Sequence, residues 1–358
     1  MKLVMTLLVR DEEDILEANL DFHFGQGVDF VVAMDNESRD STPEILERYR
    51  SEGRLHVIEQ TGDLRQSDWV TQMARMAATD FGADWVINND ADEFWWPRAP
   101  SLTLKDVFAA IPPQVGALAA PRSGFVARPE TTDFFADRML VRNFRSPRHP
   151  RGLQGHPKRA HRANAEVVVE RSNNRLQGEG LEAVPGWHPI VIFHYQARAL
   201  ESFARKKVHH GAALERAGFE GSSQVARYRA HRDGVRSVAQ YYVDERLVDD
   251  DAVERGVSDG RFVVDERLRG FFERARGDAP PGAPGDPRAG ARRDVELADL
   301  LDDMMLAIDE WESTRKAAAQ LEKRARKAER RAEKPTGGAL AGLVRDVRAR
   351  ARGLRARS

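Results

Sequence analysis

The sequence has no cysteine in its 358 residues. That excludes disulfides, thiolate metal sites and thiol redox chemistry, and with them the zinc-finger class. No apolar run approaches the ~20 residues of a membrane-spanning helix. The N-terminal run in MKLVMTLLVRDEED is short, ends in charge and suits a first strand better than a secretory signal. What is present is 41% hydrophobic residues, enough for a sizeable core in one large domain with appendages. Such a composition predicts a soluble, cytoplasmic enzyme.

The net charge of −1 conceals a polarised chain. Residues 315–358 hold 15 Lys and Arg against 4 Asp and Glu, leaving 41 against 53 in residues 1–314. A breaker-rich stretch at 277–290, GDAPPGAPGDPRAG, reads as a linker. The expected organisation is a catalytic domain at 1–276, a Pro/Gly-rich linker at 277–293, a helical extension at 294–334 and a basic amphipathic or disordered tail at 335–358. Within the extension Leu297, Leu300, Leu301, Met304, Met305 and Ile308 fall at helical spacings, which predicts a helix that packs on another surface. In the tail Leu340, Leu343, Val344, Val347 and Leu354 alternate with arginines, a pattern suited to peripheral contact with an anionic membrane. A polycation also binds nucleic acid. The acidic remainder repels that polyanion, so nucleic acid is not the expected partner.

The most informative segment is 85–96, WVINNDADEFWW. A hydrophobic run ends in Asp90, Asp92 and Glu93, which reads as a buried strand delivering carboxylates to a cleft edge. Alternate strand residues share a face, so Asp90 and Asp92 project together and Glu93 faces the other way. Two adjacent carboxylates suit a hard divalent cation bound to phosphate oxygens. A solvated acidic loop contains the same D-x-D, so the context upstream carries the weight.

Upstream, strands alternate with helices. Residues 3–9 read as a strand, and Ile15, Leu16, Leu20 and Phe24 as one helix face. A strand at 30–34 runs into the polar octet DNESRDST, and a helix carries Ile45, Leu46 and Tyr49. A strand at 55–59, a helix at 69–81 and a strand at 84–89 follow. This order predicts a mostly parallel sheet with ligands at the carboxyl ends of its strands.

LVRDEED, MDNESRDSTPEIL and WVINNDADEFWWP resemble the GT-A glycosyltransferases, within them the family 2-like group whose loops read RNE, DNxSxDgT and DaDEF. Phe193-His194-Tyr195 with Ser202, Phe203 and Lys206 resembles the downstream HY...S...F..K element of that group. The four segments together span roughly residues 1–215. The resemblance implies the GT-A fold, a mostly parallel sheet flanked by helices, here with a helical C-terminal extension. It implies transfer of a sugar from a UDP- or GDP-sugar to a hydroxyl of a glycan, lipid-linked or other acceptor. Inversion, Mn2+ or Mg2+ dependence and a place in surface-polysaccharide or glycoconjugate synthesis are implied likewise.

Residue by residue, the resemblance assigns Asp35 a hydrogen bond from the nucleotide base and Asp11 a nucleoside contact. Asp90 would reach the ribose or a metal-bound water, Asp92 and His194 would ligate the metal, and Lys206 would face the diphosphate. Two departures stand out. Asp11 replaces the Asn of many relatives, and in Ser172-Asn173-Asn174 the last residue replaces a His. The base that deprotonates the acceptor is not legible, and Asp133, Asp137, Glu179 and Glu182 are its candidates. Lys158 and Arg159, or Arg205 and Lys207, could also face phosphate, although a charge run is usually a solvated face. A non-catalytic nucleotide-binding scaffold of a polysaccharide assembly is the competing reading. The joint presence of Asp90, Asp92 and His194 argues against it.

Overall fold

The computed structural model describes residues 1–62, 65–148, 156–277 and 288–332. The tail read at 335–358 and most of the linker lie outside the described residues.

The first half of the chain alternates strand and helix as its apolar runs dictate. β1 (Leu3–Val9), α1 (Leu16–Gly25), β2 (Phe30–Asp35), α2 (Thr42–Ser51), β3 (Leu55–Glu59), α3 (Gln66–Thr79) and β4 (Trp85–Asp90) follow in order. β1 is buried along almost its whole length, as a strand covered on both faces must be. Then come β5 (Glu93–Pro97), α4 (Leu104–Ala110), β6 (Ala117–Ala120), β7 (Arg122–Gly124), α5 (Phe135–Arg138), β8 (Val141–Asn143) and β9 (Lys158–Arg162). Two short strands, β10 (Val168–Val169) and β11 (Leu176–Gln177), flank a tight turn, and β12 (Ile190–His194) leads into helices. These are α6 (Leu200–Arg216), α7 (Ser223–Arg232), α8 (Val238–Glu245) and α9 (Asp250–Ser258). β13 (Phe262–Val264), α10 (Arg267–Arg276) and α11 (Arg288–Ala332) complete the described chain.

Among the described residues the main sheet has six strands in the order β3-β2-β1-β4-β9-β6. The first four run parallel, β9 lies antiparallel beside β4, and β6 forms the edge antiparallel to β9. A second sheet, β5-β12-β7, stands apart from it. The segment 85–96 therefore is not one strand. It leaves the main sheet at Asp90 and enters the second at Glu93, with Ala91 and Asp92 as the joint. A buried amide fixes this joint: Asn19 Nδ2 donates to the carbonyls of Ala91 (2.9 Å) and Glu93 (2.8 Å), and Asn89 Nδ2 donates to Asn19 Oδ1.

The chain divides into two compact units, 1–184 with 188–299, and 185–187 with 300–358. In the first, Arg142 and Asp265 are completely buried and tied to Arg267 and Asp299. Arg142 donates to Asp265 (2.6 Å) and Asp299 (2.7 Å), and Arg267 donates to the same two carboxylates at 2.6 and 2.9 Å. Burial pushes the Asp265 carboxyl up, but Arg267 and Arg142 outweigh it and hold it far below the ordinary range. Asp299 belongs to α11, so that helix contributes a carboxylate to this knot. In the second unit Leu300, Met304, Ile308 and Trp311 share a face of α11 and are exposed, while Leu306 is buried. Of the six apolar residues expected to pack, Leu297, Leu300, Met304 and Ile308 are exposed and Leu301 and Met305 are half-buried, while Leu306 is not among them. No described helix is long and apolar enough to cross a membrane.

Candidate active site

Register brings three strand ends level, since Val9 pairs with Asp35 and Leu8 with Asp90. The loops leaving β1, β2 and β4 therefore converge, and α6 closes over them. Between them lies a cleft of about 860 Å³, lined among others by Asp11, Asp90, Asp92, His194, Lys206 and Lys207.

Loops one and two are stitched together. Ser38 Oγ donates to Asp35 Oδ1 (2.5 Å) and accepts from Asp11 N (3.0 Å), while Asp11 Oδ1 accepts from Arg39 N (2.7 Å). Asp11 and Glu37 both adopt left-handed backbone, with φ of 52° and 56°. Such strain persists only where surrounding contacts over-determine it, and it gathers at functional sites. Ser172 and Asn173 adopt it as well, and Ser172 lines the cleft with Asp11 and Glu37. The carboxylate at Asp11 thus serves as an acceptor for loop two. Asp35 is buried, its carboxyl raised by burial, and it does not line the cleft.

Asp90 and Asp92 both line the cleft but have separate partners. Lys158 Nζ donates to Asp90 (2.6 Å) and lies 3.1 Å from Glu93, while Asn173 Nδ2 reaches the other Asp90 oxygen at 3.3 Å. Lys158 is 1% exposed, so it is a buried counter-ion rather than part of a solvated run. Glu93 is wholly buried against Lys158 and Arg122 and shares Lys158 with Asp90, and because Ala91 and Asp92 form the joint between two sheets, strand alternation does not carry through to it. Asp92 faces Lys206 Nζ (3.0 Å), His194 Nε2 (3.5 Å) and Arg198 (4.0 Å). Burial raises its carboxyl, but Lys206, His194 and Arg198 together hold it well below the usual carboxylate range. His194 is delivered by the pairing of β12 on β5, where Tyr195 N donates to Asp92 O at 2.8 Å.

Two charged residues that the sequence reading passed over complete this cluster. Glu12 accepts from Lys206 (2.6 Å) and Arg198 (2.9 Å), and Arg198 also grips Asp14 through two bonds of 2.9 and 2.8 Å. The only signals were the adjacency of Glu12 to Asp11 and of Arg198 to the His194-Tyr195 pair. Lys207 also lines the cleft, and burial together with its neighbour Lys206 brings it down to about 8. Arg205 lies 3.6 Å from Asp40. Arg159 donates to the carbonyl of Asn174.

The four candidate bases lie elsewhere. Asp133 and Asp137 sit at α5, Asp137 3.9 Å from Arg276. Glu179 occupies the turn between Gly178 and Gly180, and the Glu182 carbonyl accepts from Ala117 N. None of the four lines the cleft.

The sequence model described as glycosyl transferase family 2 matches residues 9–105. The expected mostly parallel sheet with flanking helices and a C-terminal helix is present among the described residues. No protein of curated function matches the sequence. Among solved structures, TarS of S. aureus is similar at 13% identity and a TM-score of 0.33, over 78% of this chain and 53% of that one. This chain thus spans about half the length of full TarS. TarS 1–349 in complex with UDP is similar at 13% identity and a TM-score of 0.32, over 88% and 92% of the two chains. Glucosyl-3-phosphoglycerate synthase of Mycobacterium tuberculosis, in complex with Mn2+, UDP and glucosyl-3-phosphoglycerate, is similar at 16% identity and a TM-score of 0.25, over 34% and 44%.

Proposed function

We propose that the cleft takes a nucleotide-sugar donor, a UDP- or GDP-sugar, and transfers its sugar with inversion to a hydroxyl of a glycan, lipid-linked or other acceptor. The observation that carries this reading is the convergence of Asp90, Asp92, His194 and Lys206 in one cleft at three level strand ends. Its volume of about 860 Å³ is of the size that holds a ligand this large.

A divalent cation fits the donor set. Asp92 is kept ionised, and its Oδ1 faces His194 Nε2 while Oδ2 faces Lys206. No group of three or more His, Cys, Asp and Glu able to hold a metal occurs among the described residues. Asp92 and His194 would therefore hold Mn2+ or Mg2+ as a pair, with donor oxygens and water completing the shell, as is usual for such ions. Bound there, the ion offsets charge developing on the leaving diphosphate. The chain's own residues do the rest. Lys206 and Lys207 place positive charge on the cleft wall, and Lys158 and Asn173 fix Asp90 toward the donor. The stitched loops at Asp11 and Ser38 present a rigid floor for the nucleoside.

Screening UDP- and GDP-sugars for metal-dependent hydrolysis tests the reading, with the released anomer followed by NMR. Hydrolysis of at least one donor that stops on chelation is expected. Failure of every donor to bind or turn over rejects the reading, and retention in the product sugar rejects inversion.

A further inference from the structure

Lys206 projects from α6, a flexible four-carbon stem with a compact charge at its tip. An ammonium on such a stem samples many positions unless something holds it. Its contact with Asp92 alone does not fix it, because a single ion pair leaves the stem free to swing about one point. A second carboxylate makes the difference. Glu12 Oε1 accepts from Lys206 Nζ at 2.6 Å, closer than the 3.0 Å to Asp92.

Glu12 is itself immobilised from three sides. It is 5% exposed, its backbone N–H donates to Thr42 Oγ1 (2.9 Å), and its other oxygen accepts from Arg198 Nη2 (2.9 Å). Arg198 is anchored in turn by the paired bonds to Asp14 and by Nη1 donating to the carbonyl of Tyr195 (2.9 Å). That carbonyl directly follows His194. One guanidinium thus ties the first loop to the end of β12, and Glu12 passes that geometry on to Lys206.

Resting on the donor reading above, we propose that Glu12, held by Arg198, is a positioning residue that fixes the Lys206 ammonium for the donor diphosphate. Without Glu12, Lys206 follows Asp92 alone, and an anion must order the stem as it binds. Preorganised charge binds an anion more tightly than charge that has to be ordered first. Glu12 lines the cleft but acts through Lys206.

A double-mutant cycle tests this, because coupled residues lose additivity. UDP and GDP are titrated calorimetrically into the full-length wild type, Glu12→Gln, Lys206→Met and the double variant. We expect Glu12→Gln to weaken binding of the preferred nucleotide at least fivefold, and to change it less than twofold once Lys206 is Met. Unchanged affinity in Glu12→Gln overturns the proposal. So does an equal loss in both backgrounds, which marks Glu12 as a prop for the loop. If Glu12→Gln does not fold, Glu12→Asp replaces it in the same cycle, retaining the charge one methylene short, with the same criterion on the loss in the two backgrounds. Wild type that binds neither nucleotide fails the donor reading itself, and the proposal falls with it. Wild-type binding with an additive cycle removes only the role of Glu12.

Discussion

Two of the buried ionic networks among the described residues are built on opposite plans. The Arg142–Asp265–Arg267–Asp299 knot uses guanidinium forks, has Arg142 and Asp265 completely buried, and closes every charge on another. The Glu12–Asp92–Lys206–Arg198 network opens on a cleft and places a lysine where the knot would have an arginine. Arginine's planar, five-donor fork locks geometry, whereas lysine's point charge can change partners. One network is made to stay and the other to exchange.

The largest effect should come from cutting the knot. Asp299→Ala leaves Arg142 and Arg267 short of a partner, and breaking a buried pair costs ~3–5 kcal/mol. Truncation after residue 277 removes the same carboxylate. A thermal melt checks both, and an unchanged midpoint would remove the knot from the stability of the fold.

Acid should attack elsewhere. Asp265 is held below its ordinary range, so its contribution is complete above the usual carboxylate pKa and fades only in stronger acid. His23 and His161, both buried, are lowered by burial from 6.5 to about 4. The unfolded chain therefore takes up protons first. Their neutral burial costs nothing above 6.5, and stability falls as pH drops from there toward 4, by about 2 kcal/mol per ring at pH 5. Denaturant titrations at pH 7 and 5 measure this, and equal midpoints would contradict it.

In the exchanging network the effects should move to binding. Asp92→Asn keeps the shape and removes the charge facing His194 and Lys206. We expect ~1.5–3 kcal/mol, or roughly ten- to a hundredfold, weaker UDP binding in the presence of Mn2+. Calorimetry would sink the assignment of Asp92 if affinity held. Smallest of all, Lys206→Arg keeps the charge and should shift the melt far less than Asp299→Ala, yet weaken UDP severalfold. A melt shifted as far as that of Asp299→Ala would erase the distinction between the two networks.

β1 and β3 are legible to the residue, because each apolar run ends in charge or turn chemistry. α3 begins at Gln66, three residues before the first apolar member of its stripe, because polar residues fill its opening turn. The sheet change between Asp90 and Glu93 is invisible locally, since FWW is equally apolar in either sheet and the partner strand lies about a hundred residues on. Asp92, His194 and Lys206 are legible as a constellation through the family resemblance. Glu12 and Arg198 are not, because their roles arise from a contact across 186 positions. Lys158 is misread for the same reason, since only the pairing of β9 on β4 reveals that it is buried.

Asp90 terminates one sheet and Asp92 precedes the other, and a single alanine separates them. Ala91 is 2% exposed and its carbonyl is already taken by Asn19. The gap between the two carboxylates is therefore a gauge of how the sheets meet, read through one small residue acting as a shim. A bulkier side chain there would work as a wedge, prising the halves of the cleft apart without touching any charge.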